Sequence, residues 1–254
     1  MGKMVKVKDI VLGEGLPKIC VPMVGENLPQ LLEEAYILKD LPIDMAEWRV
    51  DFFKEVLNLD KVKEALQDIR NILPATPIIF TFRSAREGGA QNISTEYYME
   101  LNKAMVLTRK VDIIDVELFN KEKDIKELVN VAHANGVAVI ISNHDFQKTP
   151  AKEEIVTRLL KAIELGGDLP KIAVMPNSTA DVLTLLDATR TMKEEYEAGP
   201  IITMSMGGQG VISRLSGELF GSALTFGAAR KASAPGQIAA ADLRQVIELL
   251  HNSL

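Results

Sequence analysis

Five apolar runs in this chain carry charged or polar groups on alternate residues, where a parallel strand covered by helices is ordinarily apolar throughout. Met45 to Asp51 sets Glu47, Arg49 and Asp51 against Ala46, Trp48 and Val50. Ile78 to Arg83 separates Thr81 and Arg83 from Phe80 and Phe82, and Ile113 to Leu118 separates Asp115 and Glu117 from Ile114 and Val116. Val139 to Asp145 sets Ser142 and His144 against Val139 and Ile141, and Lys171 to Met175 sets Lys171 against Ile172 and Val174. Side chains alternate along a strand, so each run presents one apolar face and one ionisable face. Gathering such groups inside a domain costs several kcal/mol for each unpaired ion. A polar ligand is the usual reason to accept that cost. The pattern points to an enzyme with its site inside a sheet.

Around these runs, strand and helix alternate to the end of the chain. A Lys/Val hairpin comes first (Val5–Val7, then Ile10–Leu12, closed by Gly13 and Gly15). Strands are predicted to begin near Lys18, Met45, Pro77, Val111, Ala138, Leu169, Pro200 and Ser222. Helical periodicity falls between them: Pro29 to Lys39, a run capped by Asp60, one opened by Ser94, and one opened by Asp124 and ended by Gly136. Thr149–Pro150 reads as an N-cap followed by a proline at the first helical position, with the helix ending at Gly166–Gly167. Ser178 opens another helix, and Leu243, Val246, Ile247 and Leu250 mark the last. About eight strand–helix units in 254 residues match an α/β fold of the (β/α)8 TIM-barrel type, with the hairpin closing one end. A doubly wound open sheet is the competitor. Against it, the chain has no G-x-G-x-x-G or Walker loop, and its ionisable residues come from many strands. No Pro/Ser/Gly linker interrupts the rhythm, so residues 1–254 read as a single catalytic domain.

The formal charge of −6, from 29 basic and 35 acidic residues, argues against a nucleic-acid partner. No apolar run approaches the roughly 20 residues that span a bilayer, so no membrane partner is expected. Met1 to Lys8 lacks the apolar block of a signal peptide, and Cys20 is the only cysteine. The expected compartment is a reducing cytoplasm.

Three histidines constrain the chemistry: His133 lies within a helix, His251 near the C-terminus, and His144 at a strand end. Zinc-dependent barrel hydrolases and aldolases generally need several histidines converging, so no metal is expected. His144 is either a hydrogen-bonded residue at the strand mouth or, sharing a face with Ser142, an acid–base group. Two readings also stand for Lys171. It begins an apolar strand, at the end of a barrel opposite to where active sites lie, and could snorkel to solvent. Alternatively its long side chain climbs past Ala173 into the interior, where burial and nearby Arg49, Arg83 or Arg214 would leave a free amine able to attack a carbonyl. Glu47 with Arg49, and Arg83 with Glu87, could be structural ion pairs, and Arg86 a solvated loop charge. Gly207, Gly208 and Gly210 follow the seventh strand, where barrels often hold phosphate. Ala232 to Gln237 is a small-residue loop able to close over a ligand.

Taken together these residues resemble the type I 3-dehydroquinate dehydratases, the Schiff-base enzymes of the shikimate pathway, from the N-terminal hairpin to the last helix. The blocks that carry the resemblance are Glu47-Trp-Arg-Val-Asp51, Phe80-Thr-Phe-Arg-Ser-Ala-Arg-Glu-Gly-Gly89, Ser142-Asn-His-Asp-Phe146 and Pro170-Lys-Ile-Ala-Val-Met-Pro176. Met204-Ser-Met-Gly207, Ser213-Arg214, Phe220-Gly-Ser222, Thr225-Phe-Gly227 and Ala232-Ser-Ala-Pro-Gly-Gln237 extend it. The resemblance implies that Lys171 forms an imine with the ring ketone of 3-dehydroquinate, that His144 is the acid–base group, and that Glu87 orients it. It places Glu47, Arg49 and Arg83 around the ring hydroxyls and the imine, and Arg214, Ser233 and Gln237 on the substrate carboxylate. Met204, Met206 and Phe226 would line the pocket. It further implies a homodimer with no cofactor or metal, and syn elimination of water, because one residue serves both proton transfers. Two other functions compete: a class I Schiff-base aldolase holding a sugar phosphate on the glycines after strands seven and eight, and a non-catalytic barrel that binds a small carboxylate.

Overall fold

Alternating inward and outward side chains dictate the architecture. The computed structural model, which describes residues 4–229 and 236–254, gathers eight parallel strands into one sheet. A two-stranded antiparallel hairpin, β1 (Val5–Val7) and β2 (Ile10–Leu12), precedes them. The sheet strands are β3 (Lys18–Met23), β4 (Met45–Arg49), β5 (Ile78–Thr81), β6 (Ile113–Glu117), β7 (Ala138–Asp145), β8 (Leu169–Val174), β9 (Ile202–Ser205) and β10 (Leu224–Phe226). They stand in chain order, with β10 returning beside β3. The two remaining edges meet through a bridge between Ile201 and Ser222, where the Ala223 amide donates to the Ile201 carbonyl at 2.8 Å. Consecutive order and a joined edge describe a barrel rather than a doubly wound sheet.

Six long helices alternate with β3 to β9: α1 (Leu28–Lys39), α2 (Leu59–Ile72), α3 (Thr95–Leu107), α4 (Glu122–Ala134), α5 (Lys152–Glu164) and α6 (Thr179–Glu194). Two short helices, α7 (Val211–Leu215) and α8 (Gly217–Phe220), separate β9 from β10, and α9 (Ala240–His251) ends the fold. The outward residues of the strands, among them Val21, Trp48, Phe80, Val116 and Ile141, form the apolar layer beneath the helices. Trp48 sits at the centre of this layer, edge-on to both Phe53 and Phe80.

The inward residues behave differently at the two ends. Cys20, Met45, Ile79, Ile113, Ile140, Leu169, Ile202 and Leu224 make an apolar floor, and Val5, Val7 and Leu12 of the hairpin pack onto it. The hairpin therefore stops the N-terminal end, as expected. One side-chain layer above that floor, two residues along each strand, the inward positions turn polar and ionisable at Glu47, Thr81, Asp115, Ser142 and Lys171.

Ser94 and Ser178 cap their helices as expected, the latter in a reciprocal capping box with Asp181. Three helix starts differ from the sequence reading. Asn58, not Asp60, caps α2, because its side chain reaches the amides of both Asp60 and Lys61. Helix α4 begins at Glu122, two residues before Asp124. Helix α5 begins at Lys152, since the Thr149 hydroxyl donates to the Met175 carbonyl at 3.0 Å instead of capping. Among the described residues no helix is long and apolar enough to cross a membrane.

If the hairpin stops the barrel by burying apolar surface, Leu12→Ala should lower stability by about 2–5 kcal/mol. Urea unfolding followed by far-ultraviolet circular dichroism measures this. The midpoint should fall while turnover of the folded fraction is kept.

Candidate active site

Register explains how an early strand residue reaches the middle of the barrel. Lys171 is the third residue of β8, yet it pairs with Ser142, the fifth of β7. Parallel strands in a closed barrel are staggered by its shear, so position along one strand does not give height in the ring. Lys171 thus stands well above the floor and is only 5% exposed. Its Nζ lies 3.3 Å from Asp115 Oδ2 and 3.9 Å from Glu47 Oε1, and 4.4 Å from the centre of the Phe226 ring. The snorkelling reading fails. The neighbours differ from expectation too: the ion-pair partners of the amine are carboxylates, where the sequence suggested arginines.

Those arginines hold other carboxylates. Arg49 clasps Asp51 with two hydrogen bonds, Nε to Oδ1 at 2.7 Å and Nη2 to Oδ2 at 2.8 Å. Asp51, fully buried, also accepts from the amides of Arg83 and Ala90, and so ties β4 to the loop after β5. Glu47 accepts from the Thr81 hydroxyl at 2.8 Å, so the suggested Glu47–Arg49 pair does not form. Arg83 is the hub. Its Nη2 donates to Asp115 Oδ1 at 2.8 Å, and its Nη1 to Ser142 Oγ at 2.9 Å and Glu117 Oε1 at 3.2 Å. Glu87 lies 3.6 Å away. Burial opposes the charge on Arg83, but Asp115, Glu117, Glu87 and Glu47 outweigh it and raise its pKa.

The loop after β5 carries Glu87 up to β7. Glu87 Oε2 accepts from the His144 main-chain amide at 2.9 Å and lies 3.0 Å from His144 Nδ1. A carboxylate there makes Nδ1 the donor and leaves Nε2 with a free lone pair. Burial pushes His144 well below the usual imidazole range, aided by the charges of Arg83, Lys171 and Arg49. The ring is neutral at pH 7, as a base must be. Burial also pushes Glu87 up to about 7, with Arg83 opposing the rise and Glu117 and Asp115 adding to it. Phe146 stacks on His144 with centroids 6.5 Å apart. Its ring comes so close to Gly88 that a Cβ there would sit 2.5 Å from it, and Gly88 also needs a φ of 83°.

These groups converge on one cavity. Glu47, Arg49, Arg83, Glu87, His144 and Lys171 line one part of its wall. Met204, Met206, Phe226, Arg214 and Gln237 line the rest. Of what was singled out from sequence, Ser233 and the rest of residues 232–235 in the small-residue loop lie outside the described residues. Arg214 comes from α7, almost fully buried, with Nη1 donating to the Phe226 carbonyl at 3.3 Å and resting 3.9 Å from Met204 Sδ. Burial lowers its pKa to about 10, which still leaves a cation at neutrality. Arg86 is largely exposed, as a loop charge should be, though it touches Glu117 at 3.6 Å.

Sequence reasoning set Asp51, Thr81, Asp115, Glu117 and Ser142 on the ionisable face without giving them a task. The structure makes all five the frame that holds the cavity residues. Phe146, quoted only within a motif, covers the imidazole.

A titration tests the electrostatics. The His144 ring nitrogens, followed by 15N NMR between about pH 5 and pH 8, should keep the two distinct shifts of a neutral imidazole, with only a small perturbation near pH 7 as Glu87 titrates. Conversion of the ring to imidazolium within that range would contradict the burial argument.

The comparisons with known proteins agree with this geometry. A model of the family described as type I 3-dehydroquinase matches residues 19–254. The chain is similar to the 3-dehydroquinate dehydratase of Bacillus licheniformis, with 63% identity over 254 residues and 100% of each chain covered. Among solved structures it is similar to the type I 3-dehydroquinate dehydratase of Clostridium difficile, determined with covalently modified comenic acid. That match has a TM-score of 0.97 and 57% identity, covering 100% of this chain and 99% of the other. The 3-dehydroquinate dehydratase of Geobacillus kaustophilus matches with a TM-score of 0.96 and 39% identity over 99% of both chains. This chain belongs to the type I 3-dehydroquinase family.

Proposed function

We propose that this chain dehydrates 3-dehydroquinate to 3-dehydroshikimate through an imine at Lys171. The observation that carries the reading is a buried primary amine sharing one cavity with a neutral, carboxylate-oriented imidazole. The amine adds to the ring ketone, and one water leaves as the imine forms. The protonated imine withdraws electrons from the neighbouring C–H bond. His144 Nε2 takes that proton, leaving an enamine and an imidazolium. The enamine pair then re-forms the imine and expels the β-hydroxyl, which departs as water with the proton from His144. Water finally cleaves the conjugated imine and restores the amine. The balance is one ketone substrate in, one enone and one water out.

Each further residue has a physical task in this scheme. Glu87 holds Nδ1–H, so that Nε2 is the working nitrogen, and it steadies the imidazolium while that exists. Arg214 and Gln237, with Ser233, take the substrate carboxylate, and the apolar surroundings of Arg214 strengthen its grip. Glu47, Arg49 and Arg83 face the ring hydroxyls and the imine, while Met204, Met206 and Phe226 supply the apolar wall. No step calls for a metal or a cofactor. The family likeness supports a homodimer of single-domain subunits, residues 1–254, at work in the cytoplasm. Light scattering after gel filtration tests the dimer.

Two experiments test the reaction. Borohydride added during turnover should inactivate the enzyme and leave a reduced adduct on the peptide carrying Lys171, read by mass spectrometry. An adduct elsewhere, or none, would defeat the imine. His144→Ala should still be trapped, yet lose about 10²- to 10⁴-fold in enone formation at its ultraviolet absorbance. Near-wild-type elimination by that variant would remove His144 from both proton transfers.

A further inference from the structure

We propose that Asp115 is the positioning residue of the imine: it aims the Lys171 amine and then serves as counter-ion to the cation that replaces it. This inference rests on the imine reading above. The imine nitrogen is Lys171 Nζ itself, so the protonated imine inherits the surroundings of the amine. Asp115 Oδ2 is the nearest carboxylate oxygen to that nitrogen, at 3.3 Å, with Glu47 Oε1 following at 3.9 Å.

Asp115 suits the task for three reasons. First, it is held. Oδ1 accepts from Arg83 Nη2 at 2.8 Å and from the Ser142 hydroxyl at 2.6 Å, so the carboxylate plane is fixed and Oδ2 is turned to Lys171. Second, it is charged. Burial opposes ionisation, yet Arg83 and Lys171 outweigh burial and hold the carboxyl below its usual range. Third, it stands behind the amine. Asp115 is 0% exposed and contributes nothing to the cavity wall, so it acts through Lys171 rather than on the substrate.

The other groups facing the nitrogen can be named strand by strand. Cys20 comes from β3, its thiol pushed up by burial and so uncharged. Glu47 comes from β4, Arg83 follows β5, His144 comes from β7 and the Phe226 face from β10. Asp115 also stands between Arg83 and Lys171, meeting the first with Oδ1 and the second with Oδ2. Its loss removes negative charge beside the imine nitrogen, which disfavours the cationic form. The imine then sheds its proton at lower pH, and the electron sink is lost earlier as pH rises.

The test compares wild type, Asp115→Asn and Ser142→Ala in dehydration assays between about pH 6 and pH 10. D115N should lose about 10- to 100-fold in kcat, with KM changed less, and its alkaline limb should move to lower pH. S142A loosens Asp115 without changing charge, so its kcat should fall with the alkaline limb in place. A D115N limb coinciding with that of wild type would overturn the proposal, because a merely structural loss lowers the whole profile without moving it. Borohydride capture separates this result from failure of the imine reading. Wild-type capture at Lys171 with an unmoved D115N profile removes the role of Asp115 alone, whereas no wild-type capture removes the imine and this role together. Should D115N not fold, Asp115→Glu keeps the charge and displaces it by one methylene. D115E should be captured about tenfold more slowly, and capture at the wild-type rate would refute the positioning.

Discussion

The structure turns on one guanidinium. Arg83 stands inside the ring of strands with almost no access to water, and its charge is balanced by Asp115, Glu117 and Glu87. Without it, several carboxylates would face each other in a poorly solvated space, and some would take up protons or swing outward. With it, Asp115 stays ionised beside Lys171, Glu117 is fixed, and Glu87 is left close enough to orient His144. Chemistry at the cavity wall depends on ion pairing one layer beneath it. An ion-rich interior of this kind is weak evidence of stability; apolar packing under the helices supplies that instead.

Much of this was legible in the alternation of the strands. A period of two with carboxylates, arginines, a lysine and a histidine on one side assigns those residues to the barrel interior without any knowledge of topology. Trp48, Phe80 and Val116 likewise had to face the helices, and they do. Helix starts were readable where a serine had one possible task, as at Ser94 and Ser178. They were misread where two polar residues competed, as at Asn58 and Asp60, or where a hydroxyl found a distant carbonyl, as at Thr149.

Height within the barrel and the identity of partners were not legible. The place of Lys171 depends on its pairing with Ser142, and register between strands is a property of the closed sheet rather than of either segment. For the same reason local sequence suggested Glu47 with Arg49, while the fold gives Arg49 to Asp51 and Glu47 to Thr81. Asp115 lies 56 residues from Lys171 and 32 from Arg83, so nothing local hints that one carboxylate joins the two. Helix α7, which brings Arg214 to the cavity, was hidden by a glycine-rich approach that reads as loop.

The hairpin has a consequence for traffic. Among the described residues, with Val5, Val7 and Leu12 sealing the floor, the doorway to the cavity lies at the end where the strands finish. Ketone, carboxylate and both expelled waters must pass the same threshold, and the water that frees the product must come back through it. Departure and hydrolysis therefore share one passage, so whatever rests over that doorway governs both.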